Sequence, residues 1–182
     1  MTDLEAPIPI NLVASPPMED TVGAIYDAHQ RELFTFALRA CHDREVAEDI
    51  VHETYVRLIV EIQRGSAPSN VRAWLYRVTA NQAISRGRRT NVAQKWRGQL
   101  SPGHTAQDPE SEFLDQERAS ELDHALAELP VDARTALLMA ASGFAGQEIA
   151  TAIGRTESAT RTLLSRARLG LRDRLASMRS PA

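Results

Sequence analysis

Apolar residues along the chain recur mainly at three- and four-residue spacing, the period of an amphipathic helix. From Thr21, the run Ile25, Ala28, Leu33, Phe36, Ala37 and Ala40 keeps that period and predicts a first helix. His42-Asp43 interrupts it. The short carboxylate of Asp43 can accept from free backbone N–H groups, so it is the expected N-cap of a second helix through Val46, Ile50, Thr54 and Leu58. Gly65-Ser66-Ala67-Pro68 ends that helix. Ser69 is the expected cap of a third, whose stripe of Val71, Trp74, Leu75 and Val78 leads into Arg86-Gly87-Arg88-Arg89.

A second helical block opens near Glu112 and reaches Leu129, where Pro130 stops it. Val131 to Ser142 predict another helix, ended by Gly143. Gln147 to Ile153 predict a short one, with Gly154 in the turn, and Glu157 to Met178 a long last one. No strand-like alternation of useful length interrupts these runs. The expected fold is all-α: two small helical domains joined by a flexible linker, the second containing a helix-turn-helix. Residues 1–18, with Pro7, Pro9, Pro16 and Pro17, form a flexible lead-in on this reading; 19–97 the first domain; 98–111, with Pro102, Gly103 and Pro109, the linker; and 112–182 the second domain.

At 182 residues the chain suffices for one ordinary domain or two small ones, and its 43% hydrophobic content can bury a core, a thin one in each if there are two. Cys41 is the single cysteine, so an internal disulfide is excluded, and its place in an amphipathic run reads as a half-buried small apolar residue. The first residues carry Asp3 and Glu5 in place of a basic, apolar leader, and no run nears the length of a membrane span. A cytoplasmic protein without membrane insertion is expected.

The net charge of −3 conceals a pattern. Residues 1–63 hold 4 bases and 12 acids, and 64–98 hold 8 bases and no acid; 99–133 hold 1 and 9, and 134–182 hold 8 and 3. Two basic segments, each following an acidic one, point to two separate contacts with a polyanion.

Three constellations carry candidate chemistry. The first, Gln147 to Thr160, is a short helix with Ala150 inward, a glycine turn and a second helix, the pattern of a DNA-binding helix-turn-helix. The following helix presents Arg161, Ser165 and Arg168 on one face, with Ser158, Thr162 and Arg166 as neighbours, while Leu164, Leu171 and Leu175 supply the face expected to be buried. Arginines so placed can meet phosphates and guanine edges in a major groove. The second, Arg72 to Asn81 with Arg86, Arg88 and Arg89, interleaves aromatics with bases and amides, as suits backbone contacts and stacking on unpaired nucleotides. Trp74 lies on the apolar stripe and reads as core, whereas Tyr76 lies off it and is the expected nucleic-acid contact. The third, Glu45 to Glu53, is an acidic helix face beside an apolar one; Val56 stands where a metalloprotease helix needs its second histidine, so that zinc motif is absent, and His42, His52, Glu48 and Glu53 make at most a weak metal cluster. The sequence holds no Gly-rich phosphate loop, nucleophile elbow or cysteine pair, so catalysis, a metal and a cofactor are not expected.

Ala47 to Thr54 followed by Val71 to Asn81 resembles region 2 of the extracytoplasmic-function sigma factors of the sigma-70 family. Leu129-Pro130 through Gly143 to Ala150, and on to Leu164 to Arg168, resembles their region 4. The resemblance implies an alternative sigma factor that binds core RNA polymerase and directs initiation at promoters with −10 and −35 elements. It places Glu48, Asp49, His52 and Glu53 on the polymerase clamp, with His52 standing where glutamine is usual. Arg64, Ser69 and Asn70 fall in the loop that captures a flipped −10 base, and Arg72, Tyr76, Asn81, Arg86, Arg88 and Arg89 along the −10 strand. Ser158, Arg161, Thr162, Ser165, Arg166 and Arg168 fall on the helix that reads the −35 element. Leu163 replaces a common basic residue, which implies altered −35 affinity, and Thr160 replaces an apolar one, which implies looser packing. The acidic linker matches the segment that runs towards the RNA exit path. Promoter DNA and core polymerase are the implied partners, together with an anti-sigma factor.

Two other readings make different expectations. An autonomous helix-turn-helix regulator would dimerise on a palindromic site. A helical adaptor with solvated basic faces would show no salt-dependent DNA binding.

Overall fold

The computed structural model describes residues 18–97 and 113–179, and among these every regular element is a helix. They are α1 (Met18–Cys41), α2 (Arg44–Gln63), α3 (Val71–Arg97), α4 (Phe113–Ala127), α5 (Val131–Ala141), α6 (Gly146–Ile153) and α7 (Glu157–Arg179). The expected lead-in, save Met18, and the expected linker lie outside the described residues.

Local chemistry sets most boundaries. α1 ends at His42, whose φ of 54° is left-handed, a region histidine enters more readily than most residues. Asp43 then caps α2, its side chain accepting from the Val46 N–H at 3.0 Å. Gly65, at φ 74°, turns the chain away from α2. The cap of α3 is Asn70 rather than Ser69: its side-chain oxygen accepts from the Ala73 N–H at 3.0 Å, which satisfies a donor of the first turn. α4 stops at Ala127, two residues short of the predicted Leu129.

The α1–α3 and α4–α7 halves share one apolar cluster. Leu33, Leu58 and Leu75 from the first half and Met139, Ile149 and Ile153 from the second belong to it. α3 packs on α1 and α2 and also on α5 and α6, and α1 packs on α5. This double contact widens the buried arc of α3. Leu75, Tyr76, Thr79, Ala80 and Ala83 are buried, whereas Val71, Trp74 and Val78, expected to be the stripe, are only half-buried. Ala28 is exposed.

A polar network crosses the first half's core. The Thr54 hydroxyl donates to the Ile50 carbonyl at 2.8 Å, lies 3.2 Å from the Thr79 hydroxyl and accepts from Gln82 Nε2 at 3.2 Å. Each such bond contributes about 1 kcal/mol net and would cost more if broken inside. The network fixes α3's rotation against α2, and so which residues α3 presents outward.

Candidate protein- and nucleic-acid-binding surfaces

The acidic face lies on α2. Glu48, Asp49 and His52 are exposed and Glu53 is half-buried. Bases balance part of it: Arg44 donates to Glu48 at 2.9 Å, and Arg86 reaches from α3 to Asp49 at 3.3 Å and to Glu53 at 3.4 Å. The acidic face and the basic end of α3 are therefore in contact, which helix spacing alone does not reveal.

The residues expected along the −10 strand form two groups. Ser69, Asn70 and Arg72 lie at the start of α3, with Arg64 in the preceding turn; Asn81, Arg86, Arg88 and Arg89 lie further along it. Arg72 and Arg86 are fourteen positions apart, about 20 Å on a helix. Arg64, Ser69, Asn70, Asn81, Arg88 and Arg89 are exposed, and Arg72 and Arg86 half-buried.

Tyr76 departs from expectation. It is 1% exposed, its ring lies 4.8 Å from Phe36 and 4.7 Å from Phe144, and its hydroxyl donates to Glu32 at 2.6 Å. Burial, together with the hydrogen bond to Glu32, pushes its phenol up to about 12. Tyr76 is a core residue and cannot meet nucleic acid in this arrangement. Trp74 takes the more accessible position. It lines a cleft of about 470 Å³ with Ser69, Asn70, Arg77, Phe144 and Glu148. Trp74 still packs against the core cluster on one side, as expected, while Tyr76 moves into the core because α3 is covered from two sides.

Arg72 is held at one edge of that cleft region. It is paired with Glu32, donates to the Ser142 carbonyl at 3.1 Å, and sits 5.0 Å from the Tyr76 ring centre and 4.8 Å from that of Phe144. Its hydrogen bond, more than its charge, holds the Glu32 carboxyl below the usual range.

The helix-turn-helix forms as the spacing predicts. Glu148 closes the start of α6 by accepting from the Ala145 N–H at 2.8 Å. Ile149, Ala150, Ala152 and Ile153 are buried, and Gly154 turns the chain at φ 67°. Thr156 caps α7 through the Ala159 N–H at 3.2 Å, and Arg155 pairs with Asp132 to tie the turn to α5. Ser158, Arg161, Thr162, Ser165, Arg166 and Arg168 are all exposed. The Arg161 side chain, 79% exposed, pairs at 3.1 Å with Glu157 of its own helix. Such a face can slide into a groove without unpacking anything. Leu163 is half-buried against the core cluster. Thr160 is buried, but its hydroxyl donates to the Thr156 carbonyl at 2.9 Å, so the expected loosening does not arise from an unsatisfied group. Leu164 is buried, whereas Leu171 and Leu175 are half-buried and line a shallow groove.

Three residues that shape these surfaces were given no role by the sequence reading: Glu32, Phe144 and Arg134. Arg134 is 7% exposed; it donates from Nε to the Ala40 carbonyl at 3.0 Å and from Nη1 to the Ala127 carbonyl at 3.2 Å. Burial brings its guanidinium down to about 10. A lone arginine in the apolar run Val131 to Ala141 was the available hint. Cys41 is half-buried, as its context predicts, and burial pushes its thiol up to about 11. No described helix is long and apolar enough to cross a membrane.

Comparison with known proteins reaches both halves. Residues 25–92 match the model of sigma-70 region 2, and residues 119–171 that of sigma-70 region 4. The chain is 30% identical to the ECF RNA polymerase sigma factor SigL of Mycobacterium tuberculosis, covering 82% of this chain and 85% of that protein. It is 28% identical to the ECF RNA polymerase sigma factor SigE of Mycolicibacterium smegmatis over 81% of this chain, but spans only 59% of that longer protein. Among solved structures, the sigma factor RpoE in complex with the anti-sigma factor NepR from Bartonella quintana superimposes with a TM-score of 0.67 at 25% identity. That likeness covers 89% of this chain and 98% of the other.

Proposed function

Since the chain belongs to the extracytoplasmic-function sigma factors of the sigma-70 family, we propose that it joins core RNA polymerase and directs initiation at a limited promoter set. The observation that carries this reading is the combination, on one chain, of an acidic α2 face with two separate basic surfaces. Glu48, Asp49, His52 and Glu53 dock on the polymerase. Arg64, Ser69, Asn70 and Arg72, with Asn81, Arg86, Arg88 and Arg89, take the −10 strand once it is melted, when base edges become available. Ser158, Arg161, Thr162, Ser165, Arg166 and Arg168 read the −35 duplex in its major groove. Residues 19–97 and 112–182 act as the two binding units. Two modest DNA contacts on one scaffold gain by effective concentration when polymerase sets their spacing. The role is binding rather than catalysis, and its place is the cytoplasm, where polymerase works. An anti-sigma factor is a partner on this reading, supported by the likeness to a sigma factor solved with one.

Purified chain mixed with bacterial core polymerase should yield defined transcripts from a library of upstream sequences. The yield should fall at least tenfold for Asp49→Lys, which reverses an exposed charge on the docking face. Failure of the wild-type chain to associate with core, with DNA binding intact, would sink this reading in favour of an autonomous regulator.

A further inference from the structure

The bases along α3 do not stand alike. Arg88 and Arg89 are exposed and make no ion pair among the described residues. Arg72 instead has its charge answered by Glu32 of α1, and the Glu32 Oε1 that accepts from its Nη2 also accepts from the Tyr76 hydroxyl at 2.6 Å. Exposed ion pairs usually contribute little, because two long side chains must be held in one geometry. Here they are held from the core. Tyr76 is 1% exposed, its hydroxyl fixes the carboxylate, and its ring centre lies 5.0 Å from the Arg72 guanidinium. The bond from Arg72 keeps the Glu32 carboxyl below its usual range, and so ionised near neutral pH.

α3 meets the second half near Gly87, where a Cβ would lie 3.0 Å from both Val131 methyl carbons, closer than side chains ordinarily pack. It meets that half again at Arg72, which donates to the Ser142 carbonyl at 3.1 Å and faces the Phe144 ring. Glu32 and Tyr76, by contrast, lie on α1 and α3, in the half to which Arg72 itself belongs. Their hold on Arg72 does not depend on where the second half lies. The bonds from Arg72 to Glu32 and to Ser142 both leave from Nη2, so Nε and Nη1 remain to donate.

An arginine matched in this way differs chemically from a free one. A base that neutralises a phosphate releases a counterion, whereas Arg72, already neutralised, has little to release. A phosphate brought to it would also meet the Glu32 carboxylate and be repelled. A neutral acceptor on a base edge meets no such repulsion. We propose that Glu32 is a specificity-determining residue: it cancels the charge of Arg72 and fixes its plane on Tyr76, so that Arg72 hydrogen-bonds base edges of the −10 strand in place of gripping phosphates. Arg88 and Arg89, unmatched, supply the grip. This rests on the sigma-factor reading and deepens it, dividing the −10 residues between positioning and reading.

The test is salt dependence, read on the full chain bound to core polymerase. The probes are a bubble template carrying the −10 element recovered from the transcript library, and the same template with that element scrambled. Dissociation constants are measured from about 50 to 200 mM salt. Arg88→Gln should flatten the plot of log affinity against log salt by about 0.7, the share of one single-strand phosphate contact. Arg72→Gln should leave the slope as it is and lower the preference for the intact element several-fold. Glu32→Gln should steepen the slope by about 0.7, tighten binding to the scrambled template several-fold and so narrow the preference. Adding Arg72→Gln to Glu32→Gln should return the slope to that of wild type, which a purely structural role for Glu32 would not do. An unchanged slope for Glu32→Gln overturns the proposal, as does an Arg72→Gln slope flattened like that of Arg88→Gln. Should Glu32→Gln not fold, the Arg72→Gln slope decides. These outcomes overturn the proposal alone, whereas a wild-type chain that does not join core overturns the sigma-factor reading and the proposal with it.

Discussion

His42 ends α1 in a left-handed turn, and its Nε2 is buried without a hydrogen-bond partner among the described residues. Burial, with repulsion from Arg134 and His124, pushes its imidazole down from 6.5 to about 4. Because the folded value is the lower one, the unfolded chain takes up this proton first as pH falls. Its contribution to stability is therefore intact above about pH 6.5 and is lost as the pH drops towards 4. Thermal unfolding midpoints of wild type should fall more steeply across that window than those of His42→Asn, a replacement that accepts the same backbone. Parallel curves would clear His42 of the effect. At this scale the sequence was legible where a residue's neighbours are local, as for Asp43 or Cys41. It misled at Tyr76, because the groups that bury it, Glu32 and Phe144, come from distant points of the chain, and no periodicity within α3 contains them.

Among the elements, the helix-turn-helix depends most on one backbone angle. Gly154 sits at φ 67° with nothing within 4 Å of where a Cβ would stand, so space is not the constraint. Gly154→Ala should therefore cost about 1–2 kcal/mol through backbone strain alone. Urea unfolding should show that loss, and a variant as stable as wild type would mean that the turn relaxes. The helices were nearly all foreseeable, since caps, glycine turns and prolines act within a few residues. Asn70 displaced Ser69 as a cap because two adequate capping residues stand side by side, and only the direction of the chain leaving Pro68 chooses between them. The exposed side of α7 was legible for a similar reason: its polar residues from Ser158 to Arg168 are those that packing leaves over.

For the whole molecule, the packing of α1 and α3 against α5 and α6 was invisible in the sequence. Charge blocks alternate along the chain, but contacts such as Arg134 with Ala40 join residues 94 positions apart. Scattering in solution can detect that union. Gly87→Val should drive α3 from α5 and raise the radius of gyration above that of wild type by roughly a few ångström, against the ~16 Å expected of a compact chain this long. Gly23→Val, at a glycine with open space around it, should leave the radius unchanged. Equal radii for all three would mean that the halves stay together without the close approach at Gly87.

That close approach also bears on how such a protein can diverge. Glycine and alanine codons differ only at their second base, so one point mutation at Gly87 adds the methyl group that Val131 has little room for. A lineage thereby changes how tightly α3 meets α5, keeping intact every side chain assigned to polymerase or promoter. The fit between the two halves and the choice of promoter are then free to evolve separately.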